Sequence, residues 1–226
     1  METLKEFLDV ALEFHGHKCP AMPMGLRAGL AAMKTLGVQR AKDKELVVES
    51  ETGEGHAAGC FLDGVMVATG ATYGKGNVKK LFYNKMAFTL IDAGSGRAIR
   101  VSLRPEFFEK ALQSPFVQKR KEGVLPQEIP LEITNPQVER ILALPESEFL
   151  VKGQVFQREV KKGATCFEAK RCSQWGEATF TNKMTQTSDG RLLCVPCENK
   201  EKKVNGLRRF CFEEGGRTSR PIGPYL

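Results

Sequence analysis

The run His15-Gly-His-Lys-Cys-Pro20 constrains this chain more than any other segment, because it places two imidazoles and a thiol within five residues. Imidazole nitrogen and thiolate sulfur are ligands that zinc, nickel, copper and iron take from proteins. The third and last histidine, His56, is followed four residues later by Cys60. The sequence therefore predicts that these two segments build a transition-metal site or a site of thiol chemistry.

Apolar periodicity predicts a helix on each side of the His15–Pro20 run. A capping box at Thr3 opens the first helix, which is expected to end near Phe14. Pro23 suits the first turn of a second helix that stops at Gly37. Cys19 is then expected just before a helix N-terminus, which lowers the pKa of a thiol and favours the thiolate.

The candidate ligands of this core site are His15, His17, Cys19 and Cys60. Asp63, three residues after Cys60, is a ligand, a carboxylate that orients a histidine, or an exposed charge in a first helical turn. The spacing matches no standard zinc finger. An alternative therefore stays open, in which the histidines cap helix ends and the cysteines are small core residues.

Farther along, short strands alternate with short helices. The expected strands are residues 45–50, 79–83, 86–91 and 98–103, with 79–83 and 86–91 paired as a hairpin across Asn84-Lys85. Pro105 opens a helix, and Asn135-Pro136 is expected to cap another. The apolar run 61–68 suits either a helix or a strand. These elements predict an α+β fold whose core is a mainly antiparallel sheet with helices.

Charge and cysteine content change near residue 150. Residues 1–150 hold 19 Lys/Arg and 19 Asp/Glu, whereas residues 151–226 hold 15 and 8, which accounts for the whole net charge of +7. Five of the seven cysteines also follow residue 150. We therefore expect an α+β core over residues 1–150 and a small zinc-ribbon-like domain with a basic tail over residues 151–226.

The second cysteine group is Cys172 with Cys194-Val-Pro-Cys197, a spacing that is typical of a zinc ribbon. Trp175 stands where the second thiol of the first Cys-x-x-Cys pair belongs, so three thiols remain where a structural zinc usually takes four ligands. Cys166 or Cys211 would supply the fourth. In the alternative, the ribbon holds no metal and Trp175 packs in its place.

The basic residues at the end of the chain suit contact with a phosphate backbone. They are Lys200, Lys202, Lys203, Arg208 and Arg209. Few aromatic residues interleave them, so sequence-specific binding of single strands is not favoured, and the competing interpretation is a solvated charged surface. No apolar run approaches the ~20 residues of a membrane span, and the N-terminus lacks a signal pattern. We expect a cytoplasmic protein with reduced thiols and no membrane contact.

Taken in order, the motifs resemble the FmdE family, which is named for proteins encoded beside molybdenum formylmethanofuran dehydrogenase. The matching stretches are Phe14–Pro20, Met24–Gly29, Cys60-x-x-Asp63, Thr69–Asn77, Lys85–Phe88 and the ribbon cysteines. The resemblance implies an α+β core, a zinc-finger appendage in some members and an intertwined homodimer. It assigns His17, Cys19 and Cys60 to a core metal site, with His15 as a further candidate.

This chain departs from the family pattern at two positions. Ala71 stands where the family often has a cysteine, so chemistry that needs that thiol is absent, and Trp175 replaces a ribbon cysteine. The leading hypothesis is a metal-binding accessory or metal-handling protein for a molybdenum or tungsten oxidoreductase, with zinc or another transition metal such as nickel or iron in the core. The alternatives are a zinc-finger adaptor that binds protein or nucleic acid, and an enzyme that uses Cys19 as nucleophile with His17.

Overall fold

The computed structural model describes residues 4–160 and 165–202, and the chain divides into two units between Lys161 and Lys162. The expected α+β class is confirmed, with helices packed on a mainly antiparallel sheet in the first unit. None of the helices in the described ranges is long and apolar enough to cross a membrane.

In the first unit, helices and strands alternate along the chain. The helices are α1 Leu4–His15, α2 Ala21–Leu36, α3 His56–Thr69, α4 Pro105–Ala111, α5 Pro115–Lys121, α6 Leu131–Ala143 and α7 Glu146–Phe149. The strands are β1 Leu46–Ser50, β2 Val78–Lys80, β3 Ala87–Asp92, β4 Arg97–Leu103, β5 Leu150–Lys152 and β6 Phe156–Gln157. A short 3₁₀ turn spans Pro126–Glu128. The apolar run 61–68, which suited helix or strand, is helical.

One sheet carries these strands in the order β2-β1-β3-β4-β5, with β6 also paired to β4. Side chains of β1 alternate between buried and half-buried, as expected for a strand with one face on a core. Helices α2 and α3 join β1, β3 and β4 in the main hydrophobic core, which includes Met24, Ala28, Phe61 and Phe88. This shared core holds the two helices against the sheet.

Glycines allow α2 and α3 to approach unusually closely. A Cβ at Gly25 would lie 1.8 Å from the Phe61 carbonyl oxygen, and one at Gly64 would lie 2.1 Å from the Met22 carbonyl oxygen. Any side chain at either position would force the helices apart. These contacts fix the start of α2 against the first turns of α3.

The expected hairpin of residues 79–83 and 86–91 is wrong. Strand β2 pairs in parallel with β1, and β3 pairs antiparallel with the other edge of β1, so β1 separates the two. The connecting segment crosses the end of β1 with Phe82 and Asn84 at φ values of 59° and 55°. Apolar runs predicted the strands but carried no information about the partner of each.

The expected helix cap at Asn135-Pro136 is also wrong. Helix α6 begins at Leu131, after Pro130, and contains Pro136 in its interior. The side chain of Asn135 accepts a hydrogen bond from Lys18 Nζ at 2.6 Å instead of capping a helix. An earlier proline thus starts the helix, and the later one costs it one backbone hydrogen bond.

The described part of the second unit consists of two small hairpins and a helical segment. Strand β7 Ala169–Arg171 pairs with β8 Ala178–Phe180, and β9 Met184–Gln186 pairs with β10 Leu192–Cys194. A 3₁₀ turn spans Thr181–Lys183, and residues 195–202 are helical. Its buried cluster consists of Leu193 and three cysteines, with Met184 packed against it.

Candidate metal centre

The two histidines of the first motif meet at the end of α1. His15 is the last residue of this helix, and Gly16 follows it with a φ of 82°, the left-handed conformation that turns the chain back. The ring centroids of His15 and His17 lie 4.1 Å apart, and their Nε2 atoms are separated by 3.2 Å. The local turn therefore aims two imidazole nitrogens at one point.

Helices α2 and α3 add one thiol each. Cys19 lies two residues before α2, and Cys60 lies in the first turns of α3. Cys19 Sγ is 3.6 Å from His15 Nε2, and Cys60 Sγ is 4.0 Å from His17 Nε2. The two cysteines are almost completely buried, with 2% and 4% of each residue exposed. We call these four residues, whose donor atoms all lie within 4.8 Å of one another, the core cluster.

Asp63 orients one histidine of the core cluster. Its Oδ2 accepts a hydrogen bond from His15 Nδ1 at 2.7 Å, so the Nε2 of a neutral His15 is left as the donor for a metal. This hydrogen bond is the main cause that raises the pKa of His15 to about 9, followed by the interaction with Cys19. Of the roles left open for Asp63, the structure shows the orienting one.

The two thiols share one proton. A hydrogen bond from Cys60 is the main cause that lowers the pKa of Cys19 to about 3, and His15 and His17 contribute to the same shift. The same hydrogen bond, together with burial, raises the pKa of Cys60. The backbone N–H of Met22 adds the helix N-terminal effect expected from the sequence, although it is a smaller cause. The metal-free core cluster therefore holds a thiolate beside an imidazolium, a charge pattern that suits a cation.

Donor spacing provides a test of whether a metal fits. Zinc bonds of about 2.05 Å to nitrogen and about 2.3 Å to sulfur, at tetrahedral angles, require edges of about 3.3 Å between nitrogens and about 3.6 Å from nitrogen to sulfur. The corresponding separations in the core cluster are 3.2 Å between the nitrogens and 3.6 and 4.0 Å from nitrogen to sulfur. The residues present fit a four-coordinate ion.

A second group of thiols lies in the second unit. The sulfur atoms of Cys172, Cys194 and Cys197 lie within 4.8 Å of one another, and we call these residues the ribbon cluster. The backbone N–H of Cys194, 3.5 Å from the sulfur, is the main cause that lowers the pKa of Cys172 to about 6. Burial is the main cause that raises the pKa of Cys197 to about 12. Three of the four expected ribbon ligands thus converge.

The candidates for a fourth ribbon ligand are placed differently. Cys166 Sγ lies 3.4 Å from both Thr181 Oγ1 and the Glu168 carbonyl oxygen, and it is not among the three converging thiols. Trp175 is 45% exposed, with its ring centroid 5.0 Å from the Lys200 ammonium. A ring that filled a metal position would be buried, so the structure does not support the metal-free alternative. Cys211 and the basic residues from Lys203 onward lie outside the described residues.

His56, the remaining histidine of the two motifs, is the first residue of α3, and its side chain lies outside the described part of the structure. Ala71, at the position where a cysteine was expected from the resemblance, is fully buried in the main hydrophobic core.

A cleft of about 560 Å³ opens beside the core cluster, and sequence reasoning missed it. Cys19 and Cys60 lie in its wall, together with residues of α4, α5 and α6. The pair Phe107-Phe108 and the basic residues of these helices were the available signals. They come from separate helices, however, and no spacing in the sequence joins them.

Known proteins share the sequence and the fold of this chain. A family model described as FmdE, molybdenum formylmethanofuran dehydrogenase operon, matches residues 14–151. A probable S-adenosyl-L-methionine-binding protein of Archaeoglobus fulgidus is 32% identical over 209 residues, which are 87% of this chain and 53% of that protein. This chain thus spans about half the length of that relative.

A solved structure extends the comparison to the fold. The crystal structure of a tungsten formylmethanofuran dehydrogenase (FmdE)-like protein from Syntrophus aciditrophicus matches with a TM-score of 0.55 and 20% identity. The match covers 87% of this chain and 92% of that one. At this identity the similarity shows that the two chains share a fold.

Proposed function

This chain belongs to the FmdE family, and from that premise we propose that its core cluster binds one transition-metal ion. The protein would act as an accessory or metal-handling component of a molybdenum or tungsten oxidoreductase. The observation that carries the metal-binding proposal is the agreement between the donor separations of 3.2, 3.6 and 4.0 Å and the edges of a tetrahedral site. The association with an oxidoreductase is supported only by the family's operon name.

Each residue of the proposed site has a distinct task. Asp63 keeps the proton of His15 on Nδ1, so that Nε2 faces the ion. Cys19 supplies a thiolate that exists before the metal arrives, whereas Cys60 gives up its proton when the metal binds. When bound, a zinc, nickel or iron ion would supply Lewis acidity at this position.

We also propose that the ribbon cluster binds zinc. Its three thiols converge although Trp175 occupies the position of a fourth. Two hairpins with so small a buried cluster gain little from apolar packing, and structural zinc commonly supplies the missing folding free energy. The fourth ligand is then a residue outside the three converging thiols, or water.

Elemental analysis of the full-length protein, purified without oxygen, tests both sites. We expect two ions per chain, of which Cys60→Ser loses one and Cys194→Ser loses the other. Cys166→Ser removes a thiol outside both clusters and should keep two. A Cys60→Ser protein that retains the wild-type metal content would contradict the core site. A wild-type core that stays metal-free after reconstitution, with Cys19 alkylated rapidly by iodoacetamide, would favour the nucleophile alternative.

The accessory role and the homodimer need separate tests. If the protein works beside a molybdenum or tungsten enzyme, it should co-purify from its source with an oxidoreductase fraction that contains one of these elements. Sedimentation velocity of the full-length protein should give the mass of two chains. Migration as a single chain at micromolar concentration would contradict the dimer.

A further inference from the structure

The cleft beside the core cluster has the size and lining of a small-molecule site. Its volume of about 560 Å³ falls within the range of about 300–1,000 Å³ that is usual for ligand pockets. Because Cys19 and Cys60 lie in its wall, the sulfur side of the core cluster faces this space. A molecule in the cleft would therefore lie next to the proposed metal.

The inner lining of the cleft is apolar. Its large apolar residues include Met24, Met86, Phe107, Phe108, Phe116 and Ile141. Aromatic rings and methionine side chains bind an apolar body without imposing hydrogen-bond requirements on it. The ligand that this lining suits has a hydrophobic portion that is buried when it binds.

The charged residues of the cleft all have the same sign. Four cations line it, Lys110, Arg120, Lys121 and Arg140, and no aspartate or glutamate does. None of the four forms an ion pair with any residue in the described ranges 4–160 and 165–202. Arg120 donates one hydrogen bond, to the Val124 carbonyl oxygen, which holds its guanidinium in place. Uncompensated positive charge beside an apolar cleft is complementary to an anion.

We propose that this cleft binds an organic anion with an apolar body, whose anionic group contacts Lys121 and Arg140 and whose body lies against the sulfur side of the core cluster. The inference rests on the proposed function in one respect, since it names the class of molecule that the metal centre would meet. The recognition itself depends only on residues of the cleft. Carboxylates, sulfonates and phosphate esters share this chemistry.

Two fluorescent dyes with the same apolar body test the charge requirement. The anion 8-anilinonaphthalene-1-sulfonate carries a sulfonate that neutral N-phenyl-1-naphthylamine lacks. We expect the anion to bind at one molecule per chain, at least about tenfold more tightly than the neutral dye. Near-UV circular dichroism of each sample establishes that the protein is folded when the dye binds.

Matched variants locate the binding in the cleft. Lys121→Gln combined with Arg140→Gln should weaken binding of the anion about tenfold and leave the neutral dye unchanged. The control combines Lys34→Gln with Lys79→Gln, two exposed lysines outside the cleft, and changes the net charge equally. Ala111→Trp, which fills the cleft, should abolish binding of both dyes.

The metal content of the same samples separates the two proposals. Selective anion binding supports the cleft whether or not the core holds a metal, whereas an absent metal refutes the proposed function alone. Equal affinity for the two dyes, or unchanged anion binding in the Lys121/Arg140 variant, overturns the cleft proposal even in a metal-loaded protein. A wild-type dimer that binds neither dye, and that Ala111→Trp converts to monomers, would assign the cleft to a second copy of the chain and also overturn it.

Discussion

The hydrogen bond between His15 and Asp63 determines which imidazole nitrogen is available to a metal. With Nδ1 held at 2.7 Å from a carboxylate oxygen, the ring cannot flip without losing its partner, and Nε2 stays directed at the thiols. Carboxylates in this position also make the imidazole more basic and therefore a better ligand. Asp63 contributes to the site without being one of its donors.

Replacing Asp63 should weaken metal binding by a predictable amount. For Asp63→Ala we expect affinity to fall by about 10–100-fold, because the ring orientation and the added basicity are both lost. Asp63→Asn, which can still accept from Nδ1, should lose less. Competition with a chromophoric chelator measures the affinity, and Asp9→Ala on the exposed side of α1 is the control. Equal affinities in all four proteins would mean that Asp63 is a surface charge only.

A buried ion pair on the sheet should make stability fall in acid. Glu51 is 8% exposed, and it accepts hydrogen bonds from Arg100 Nε at 2.5 Å and Nη2 at 2.9 Å, which lowers its pKa. An unfolded glutamate titrates near about 4.3. The pair therefore contributes fully above that pH, and the contribution is lost as pH falls through the depressed folded value.

Urea unfolding between neutral pH and pH 3 measures this loss. Glu51→Gln should lower the free energy of unfolding at pH 7 by about 1–3 kcal/mol, since it removes one partner of a largely buried charge pair. It should also flatten the decline below about pH 4.3. Glu132→Gln, an exposed position on α6, serves as control. A wild-type protein with equal stability at pH 7 and pH 3 would show that the pair contributes nothing.

At the level of helices, the contact between α2 and α3 determines the distance between the two thiols. Gly64→Ala would place a methyl group 2.1 Å from the Met22 carbonyl oxygen, just after Cys19. We expect it to cost about 1–3 kcal/mol of stability and to lower metal content. Gly59→Ala on the same helix meets no atom within 4 Å and should stabilise it by about 0.5–1 kcal/mol. Thermal unfolding and elemental analysis decide, and similar behaviour of the two variants would contradict the argument.

The same helix contact explains what the sequence could and could not predict about the site. His15, His17 and Cys19 were predictable as a group because five residues of chain hold them together. Convergence of Cys60 was only a hypothesis, because it depends on the approach of two helices through Gly25 and Gly64. Glycines in a helical pattern indicate close packing without indicating the partner.

Strand partners and long-range clefts were harder to predict for the same reason. The apolar alternation of β2 and β3 predicted strands, but the insertion of β1 between them depends on contacts between residues about 30 apart in sequence. In α6, Pro136 was taken for a start signal although Pro130 had already provided one. The cleft assembles residues from α2 to α6, and only the folded chain brings them together.

Across the molecule, regional charge balance conceals a local excess. Residues 1–150 contain equal numbers of acidic and basic residues, yet four cations and no acid line the cleft. The compensating acids lie on other surfaces, such as Glu49 against Arg158. Composition correctly indicated an excess of basic residues after residue 150, but it gave no sign of the positive field beside the core cluster, because a sum over a region contains no positions.

The two units should respond differently when metal is removed. The first unit has an extensive apolar core, whereas the buried cluster described in the second consists of Leu193 and the three ribbon thiols. We therefore expect a chelator to bring amide exchange in residues 165–202 close to the unfolded rate, while β1, β3 and β4 stay protected. Hydrogen-exchange mass spectrometry measures this, and Cys194→Ser should reproduce it without chelator, with Cys166→Ser as control. Unchanged protection of residues 165–202 in the chelated protein would mean that the hairpins fold without metal.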